Sequence, residues 1–454
     1  SLFEGGRSPE TRVGLVQDAL DALKQNPKAS TFWPTFSQAY TLLQDGHASA
    51  PLVGYPAYQN GGVCVHEGIA DLLPGSPTVP LVFQQGANAL FAELQPGDAL
   101  VQIDGMPVDA WAALAGRLIT HPGAVTARAV TTAPTIFLAA LDAGATVTFD
   151  RCAGPAACDD ASVQHIVLDL ATLAGDPLLA GTSPISQNDI ATCDYRFVRP
   201  VPDNATGKST DYAFAGHSDD ADGDRFLVIN GVPEQQGQGG QAWFDQVDGA
   251  LSDDPAHLVL DERTGDGGGI DAVDWIGGEL SAPGDLFAMD FLPSIEGDDL
   301  TSDRQAVIDC STSDGNYGFG CGNGFRWPFG ITAGNKLGEA KDSKLAILIG
   351  LDVSGNDYLT KILKGRSGET RVFGSGSTWG AFGVIWQLAA HIGEVTGGSL
   401  QVQDTIFLRS SSDDNTTFPT STGELPDSEV LQLQSDAVQG KDTLIEAAKA
   451  WLAE

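Results

Sequence analysis

The sequence has no apolar run approaching the roughly 20 residues that a membrane-spanning helix needs. Its longest strongly apolar stretch, Leu345 to Leu351, is the length of a strand. Basic residues are scarce: 24 Lys and Arg stand against 60 Asp and Glu, a net charge of −36. A surface so negative repels phosphate backbones and anionic lipids, which excludes nucleic acid as a partner. Cysteine is sparse too. None of Cys64, Cys152, Cys158, Cys193, Cys310 and Cys321 forms a CxxC pair, and no histidine stands at zinc-finger spacing, which argues against a structural zinc. No repeat of solenoid type is found.

What remains is a long chain that can bury ample apolar surface. With 454 residues and 42% hydrophobic content, two or three domains are expected. Cys152–Cys158 and Cys310–Cys321 would close short, polar, Gly-rich loops, as local disulfides do in an oxidising compartment, and Cys64 with Cys193 would make a third bridge. The chain starts at Ser1 rather than at Met, so a signal or anchor segment is expected to have been trimmed. Asn204-Ala-Thr is a glycosylation sequon. An extracellular or cell-envelope (periplasmic) location is expected.

The organisation changes along the chain. Val13, Val16, Leu20 and Leu23, then Phe32, Phe36, Tyr40 and Leu43, form helical stripes that stop at Asp45-Gly46, which gives an N-terminal helical region over 1–50. From 51 to 155 short strands are expected, one at Leu81-Val82-Phe83. Pro96-Gly97-Asp98 reads as a turn, Ala99 to Ile103 as a strand and Asp104-Gly105 as a hairpin turn. Asp109 is expected to cap a helix with Trp111, Leu114 and Leu118 on one face. From 156 to 454 strands and helices alternate. His257 to Asp261 and Leu345 to Leu351 read as strands buried on both faces of an α/β sheet. Trp243, Val247 and Leu251 mark a helix before the first of them, and Tyr358, Ile362 and Leu363 one after the second. Leu444, Ala448 and Trp451 mark a last helix.

Three segments carry chemistry. In Leu351-Asp-Val-Ser354-Gly-Asn-Asp357 a serine stands at a strand-to-helix junction, where open α/β sheets hold ligands and helical N–H groups can meet an oxyanion. The same serine would also serve as a plain helix cap. Asp261-Glu-Arg-Thr-Gly-Asp-Gly-Gly-Gly269 follows a buried strand, and its glycines can point backbone N–H groups at an anion or simply turn. It lacks the Lys-Ser/Thr of a phosphate loop and the spacing of a dinucleotide fingerprint. Gln44-Asp-Gly-His47-Ala-Ser49 offers a loop histidine, the usual base for a serine. His66 and His217 compete with it.

Together these segments resemble the C-terminal-processing (tail-specific) serine peptidase family, which includes tricorn-type enzymes. Asp45-Gly-His-Ala is similar to the family's early Asp-Gly-His-Thr segment, and Pro96 to Val108 to its PDZ module. Asp261-Glu-Arg-Thr-Gly-Asp-Gly-Gly resembles Asp-Leu-Arg-Gly-Asn-Gly-Gly, and Val353-Ser-Gly-Asn the nucleophile junction. Phe373-Gly-Ser-Gly-Ser-Thr-Trp-Gly380 looks like the Gly-x-x-Thr-Tyr-Gly turn. Leu425-Pro-Asp-Ser-Glu-Val430, Asp436 and Gly440-Lys-Asp442 match the family's end. The order is kept over nearly the whole chain. The resemblance implies a multidomain α/β protein: a small N-terminal helical region, a PDZ-like β-rich domain and a peptidase core of the crotonase-like (ClpP/crotonase) type.

One departure decides the base. Bacterial members use a lysine after the Thr-Tyr-Gly turn, and Ala381 stands there. The tricorn-type arrangement remains, which implies Ser354 as nucleophile, His47 as base and Asp413 or Asp414 as the orienting acid, where the family has Glu. Oxyanion donors would be Gly355 and either Gly267 or Gly268, since the offset at Thr264 leaves both open. The substrate would be a polypeptide, captured by its terminus at the PDZ-like region, and no cofactor or metal is called for. A binding protein on the same scaffold is the alternative. Asp219, Asp220, Asp222 and Asp224 make an acidic loop. It departs from a calcium loop at Arg225 and lacks the closing Glu, so a solvated turn is expected.

Overall fold

The computed structural model describes residues 63–84, 89–115, 144–173, 213–233, 240–265, 267–282, 287–293, 325–329, 340–350, 355–378, 383–392, 395–408 and 423–454, with single positions 21, 133, 136, 137, 140, 141, 197, 201 and 352. The helical stripes expected over 1–50 lie outside them, apart from position 21.

Strand β1 (Cys64–Ile69) pairs antiparallel with β2 (Thr78–Gln84), and β2 with β3 (Ala99–Ile103). Short β4 (Met106–Pro107) folds back on β3 through Asp104-Gly105, both at positive φ, the backbone that a two-residue hairpin turn requires. Helix α1 (Val108–Ala115) follows. Its first turn contains Asp109, so the cap expected there is one residue inside the helix. Strands β5 (Thr146–Arg151) and β6 (Gln164–Asp169) extend the same sheet. One face buries Val65, Val82, Leu100, Ile103, Val147, Phe149, Ile166 and Leu168 over Phe91 and Trp111. The Pro96-Gly97-Asp98 turn is fixed by Asp98, which accepts two hydrogen bonds of 2.6 Å from the Arg151 guanidinium. The Cys152–Cys158 disulfide is formed, and Cys64 is also disulfide-bonded. Cys193, Cys310 and Cys321 lie outside the described residues.

The second sheet begins with a hairpin, β7 (Ala215–Asp219) and β8 (Arg225–Ile229), followed by α2 (Gln241–Leu251), β9 (His257–Asp261) and α3 (Ile270–Glu279). After β10 (Phe287–Pro293) and β11 (Phe325–Phe329) come β12 (Lys344–Ile349), α4 (Gly355–Lys364) and β13 (Thr370–Gly374). A long hairpin, β14 (Gly383–Ile392) and β15 (Val395–Leu408), joins β10 and β11 in a separate antiparallel sheet. The chain ends with β16 (Ser428–Glu429), β17 (Gln432–Leu433), α5 (Gln434–Val438) and α6 (Thr443–Leu452). The central order is β16-β13-β12-β9-β8-β7, parallel except where β7 meets β8.

Alternation along the central strands explains the layers. Leu258, Leu260, Leu345, Ile347 and Ile349 point to one face and pack under α2, α3 and α4, against Trp243, Val273, Ile276, Leu359 and Leu363. Val259, Ala346 and Leu348 point to the other, where α6 covers them with Leu444, Ile445, Ala448 and Trp451. Both faces are apolar, so these strands appear in the sequence as unbroken hydrophobic runs.

The two sheets are tied by the chain's end. β17 pairs parallel with β1, Gly68 opposite Gln432, and a Cβ on Gly68 would fall 2.7 Å from the Gln432 carbonyl oxygen. Gln434 Nε2 donates to Gly97 O at 3.0 Å, and Asp71 Oδ1 accepts from Ser435 N at 2.9 Å. Ten residues on, α6 lies on the central sheet.

Candidate functional site at the carboxyl edge of the central sheet

β9 and β12 are neighbours in parallel register, with Leu348 opposite Asp261, so the segments that follow them leave the sheet side by side at its carboxyl edge. This is where open α/β sheets present their loops to ligands. The segment after β9 is the Gly-rich loop leading into α3. The segment after β12 leads through Gly350 and Asp352 to α4, whose first residue is Gly355.

The two segments touch through glycine. A Cβ on Gly355 would lie 3.1 Å from both the nitrogen and the oxygen of Gly268. A Cβ on Gly268 would lie 1.8 Å from Val232 O, and its φ of +131° is one L side chains rarely adopt. Only glycine fits there. Gly267 is held on both sides: its N–H donates to Asn356 Oδ1 at 3.0 Å, and its carbonyl accepts from Val232 N at 2.8 Å.

Beneath this contact lies a buried polar cluster that the sequence reading missed. Asp261, Glu262, Asp352, Asn356, Asp357 and Thr360 are all at most 1% exposed. Glu262 Oε1 accepts from Asn356 Nδ2 at 3.1 Å, and Oε2 is bonded to Thr360 Oγ1 at 2.8 Å. Burial, reinforced by the nearby Asp357 and Asp261 charges, pushes the Glu262 carboxyl up to about 8, so it is protonated at neutral pH. Burial, then Glu262 and Asp357, raises Asp352 well above the usual carboxylate range. Arg263 is the counter-charge. It bonds Asp261 through Nε and Nη2 and Asp442 through Nη1, at 2.7–3.0 Å. Burial works against its charge, but the two carboxylates outweigh it and hold its pKa above the ordinary value. Asp442 also caps α6, accepting from Leu444 N at 3.1 Å and Ile445 N at 3.3 Å. The one available signal was local: an acid pair straight after an apolar strand, and Asn356 and Thr360 four apart on one helix face.

Of the residues expected to form the site, Gly355, Gly267 and Gly268 come together at this edge. Ser354 falls between Asp352 and Gly355 and, like His47, Asp413 and Asp414, lies outside the described residues. His66 is buried on β1, edge-to-face with Phe83 at 4.7 Å. It lines a pocket with Arg263, Gly350 and Ser375. His217 sits on β7, the outer strand of the central sheet.

Each carboxylate of the acidic loop between β7 and β8 has a side-chain partner. Asp219 pairs with Arg225 at 2.7 Å, Asp220 and Asp222 with Lys449, and Asp224 with His257 at 2.8 Å. Asp220 Oδ1 accepts from Asp222 N and Asp224 N at 2.9 and 3.0 Å, which shapes the turn. Among the described residues, no cluster of His, Cys, Asp or Glu is arranged to hold a metal.

No protein-family model matches the sequence, and no curated protein matches it. Solved structures do. Mature CPAF is 16% identical, with a TM-score of 0.59 over 96% of this chain and 89% of that one. Mature CPAF complexed with lactacystin is 14% identical, with a TM-score of 0.57 over 98% of this chain and 92% of that one. The chain therefore has the mixed α/β fold of CPAF.

Proposed function

We propose that the chain is a serine endopeptidase of the C-terminal-processing (tail-specific) type. The contact of Gly355 with Gly268 carries this reading: two backbone segments meet at the sheet's carboxyl edge one residue after Ser354. The likeness to CPAF, a protein solved in a mature form and with lactacystin, supports it.

In the proposed reaction Ser354 Oγ attacks the scissile carbonyl while His47 Nε2 takes its proton, oriented by Asp413 or Asp414. The developing oxyanion is met by the amides of Gly355, at a helix N-terminus, and of Gly268. The Gly267 amide is spent on Asn356, which favours Gly268 between the two. His47 then gives its proton to the leaving amine, and water releases the acyl group by the same steps reversed. The β-rich sheet at 63–173 is assigned the PDZ-like role of receiving a polypeptide terminus. The Cys152–Cys158 disulfide fits an extracellular or envelope location.

Hydrolysis of an unstructured polypeptide by the purified chain tests the reading. His47→Ala is expected to lower kcat by about 10⁴ to 10⁶-fold, the range seen when one member of a catalytic triad is removed. His66→Ala is expected to leave it within threefold. Full activity in His47→Ala together with loss in His66→Ala would move the base to β1. No hydrolysis by any form would favour a ligand-binding protein on the same scaffold.

A further inference from the structure

Asn356 is bonded through both ends of its side-chain amide. Nδ2 donates to a carboxyl oxygen of Glu262 and Oδ1 accepts from the backbone of Gly267, so its orientation is fixed by its partners. The peptide plane that follows is fixed as well. Gly267 O accepts from Val232 N at 2.8 Å. In a trans peptide the next N–H points opposite to that carbonyl. The Gly268 N–H is thus turned away from Val232 N, and its nitrogen lies 3.1 Å from where a Cβ on Gly355 would stand.

We propose that Asn356 and Glu262 are positioning residues: through the chain Glu262–Asn356–Gly267 they set the direction of the Gly268 amide, the donor that meets the oxyanion. Glu262 suits the task because it is fully buried and held at two points, by Asn356 and by Thr360 on the next turn of α4. The carboxyl accepts at both oxygens, from Asn356 Nδ2 at Oε1 and from Thr360 Oγ1 at Oε2. Gln at this position keeps the oxygen for Asn356, and its N–H₂ meets the Thr360 hydroxyl, which can rotate to accept. Methionine keeps the length and loses both. Gly265 leaves the space the amide occupies, since a Cβ there would fall 2.3 Å from Asn356 Cγ. The kinetic consequence rests on the peptidase reading, whereas the loop geometry does not.

The test uses the full chain and two readouts, hydrogen–deuterium exchange over residues 262–269 and steady-state peptide hydrolysis. Asn356→Ala and Glu262→Met are expected to speed exchange of that segment at least tenfold. They should lower kcat about 10²-fold, the scale of one lost oxyanion donor, with KM within threefold. Glu262→Gln is expected to restore both readouts to within threefold of the parent. A folded Asn356→Ala or Glu262→Met chain with unchanged exchange and unchanged kcat would overturn the proposal, as would a Glu262→Gln chain as impaired as Glu262→Met. If Asn356→Ala fails to fold, the Met and Gln pair at 262 decides. If the parent hydrolyses no peptide, the peptidase reading fails, and the exchange readout alone still decides whether the chain of hydrogen bonds holds the loop.

Discussion

The faces of the central sheet and its carboxyl edge are buried to the same degree but are built from opposite materials. On the faces, Leu260, Ile347 and Leu348 meet helices through apolar contact, and burial itself stabilises. At the edge, four carboxyl side chains, an arginine, an asparagine and a threonine are taken out of water. Each loses hydration that only a well-placed partner offsets. The faces hold the fold together, and the edge holds two loops at a fixed distance. A protein that needed only stability would fill the edge with leucine.

The contrast can be broken most strongly at Arg263. Arg263→Met would leave Asp261 and Asp442 buried without their counter-charge and weaken the cap of α6. A loss of about 3–5 kcal/mol is expected, the cost typical of removing one partner from a buried pair. Urea unfolding measures it, and a loss under about 1 kcal/mol would mean that the edge is wetter than the side-chain burial indicates.

Glu262 sharpens the comparison through pH. Its folded pKa of about 8 lies above the ordinary 4.5, so between those values the unfolded chain has released a proton that the folded chain keeps. The folded state binds more protons there, and stability falls as pH rises. Glu262 alone contributes at most about 1.4 kcal/mol per pH unit, levelling above pH 8. Asp352 acts in the same direction. Glu262→Gln is expected to flatten the slope in unfolding curves taken between pH 5 and 8. An unchanged slope would place the titration elsewhere.

The smallest effect is expected where charge meets solvent. Lys449, about a quarter exposed, bridges Asp220 and Asp222 across the acidic loop. Lys449→Ala should cost less than about 1 kcal/mol and less still in high salt, as exposed pairs do. A larger loss in thermal unfolding would make that loop part of the stable core.

These regions also differ in what the sequence discloses. Strands buried on both faces leave continuous apolar runs, so β9 and β12 are readable from His257 to Asp261 and from Leu345 onward, and the helices α2, α4 and α6 from their stripes. Local turn chemistry is equally plain at Gly97 and at Asp104-Gly105, whose positive φ values follow from their residue types. Long-range polar pairing leaves no such trace. Glu262 and Asn356 are 94 residues apart, and Arg263 and Asp442 are 179 apart. Each alone reads as a solvated charge or a helix cap. β17 is two residues long, too short for any periodicity, yet it ties β1 to the rest of the chain. The choice between Gly267 and Gly268 was open for the same reason: only the position of Asn356 shows which amide is already bonded.

The central claim is that the edge serves acyl transfer at Ser354, and covalent labelling tests it most directly. A fluorophosphonate probe should add one adduct per native chain, mapped by peptide mass spectrometry to Ser354 and lost in Ser354→Ala. A native chain that takes up no probe, or an adduct that persists in Ser354→Ala, would contradict the account.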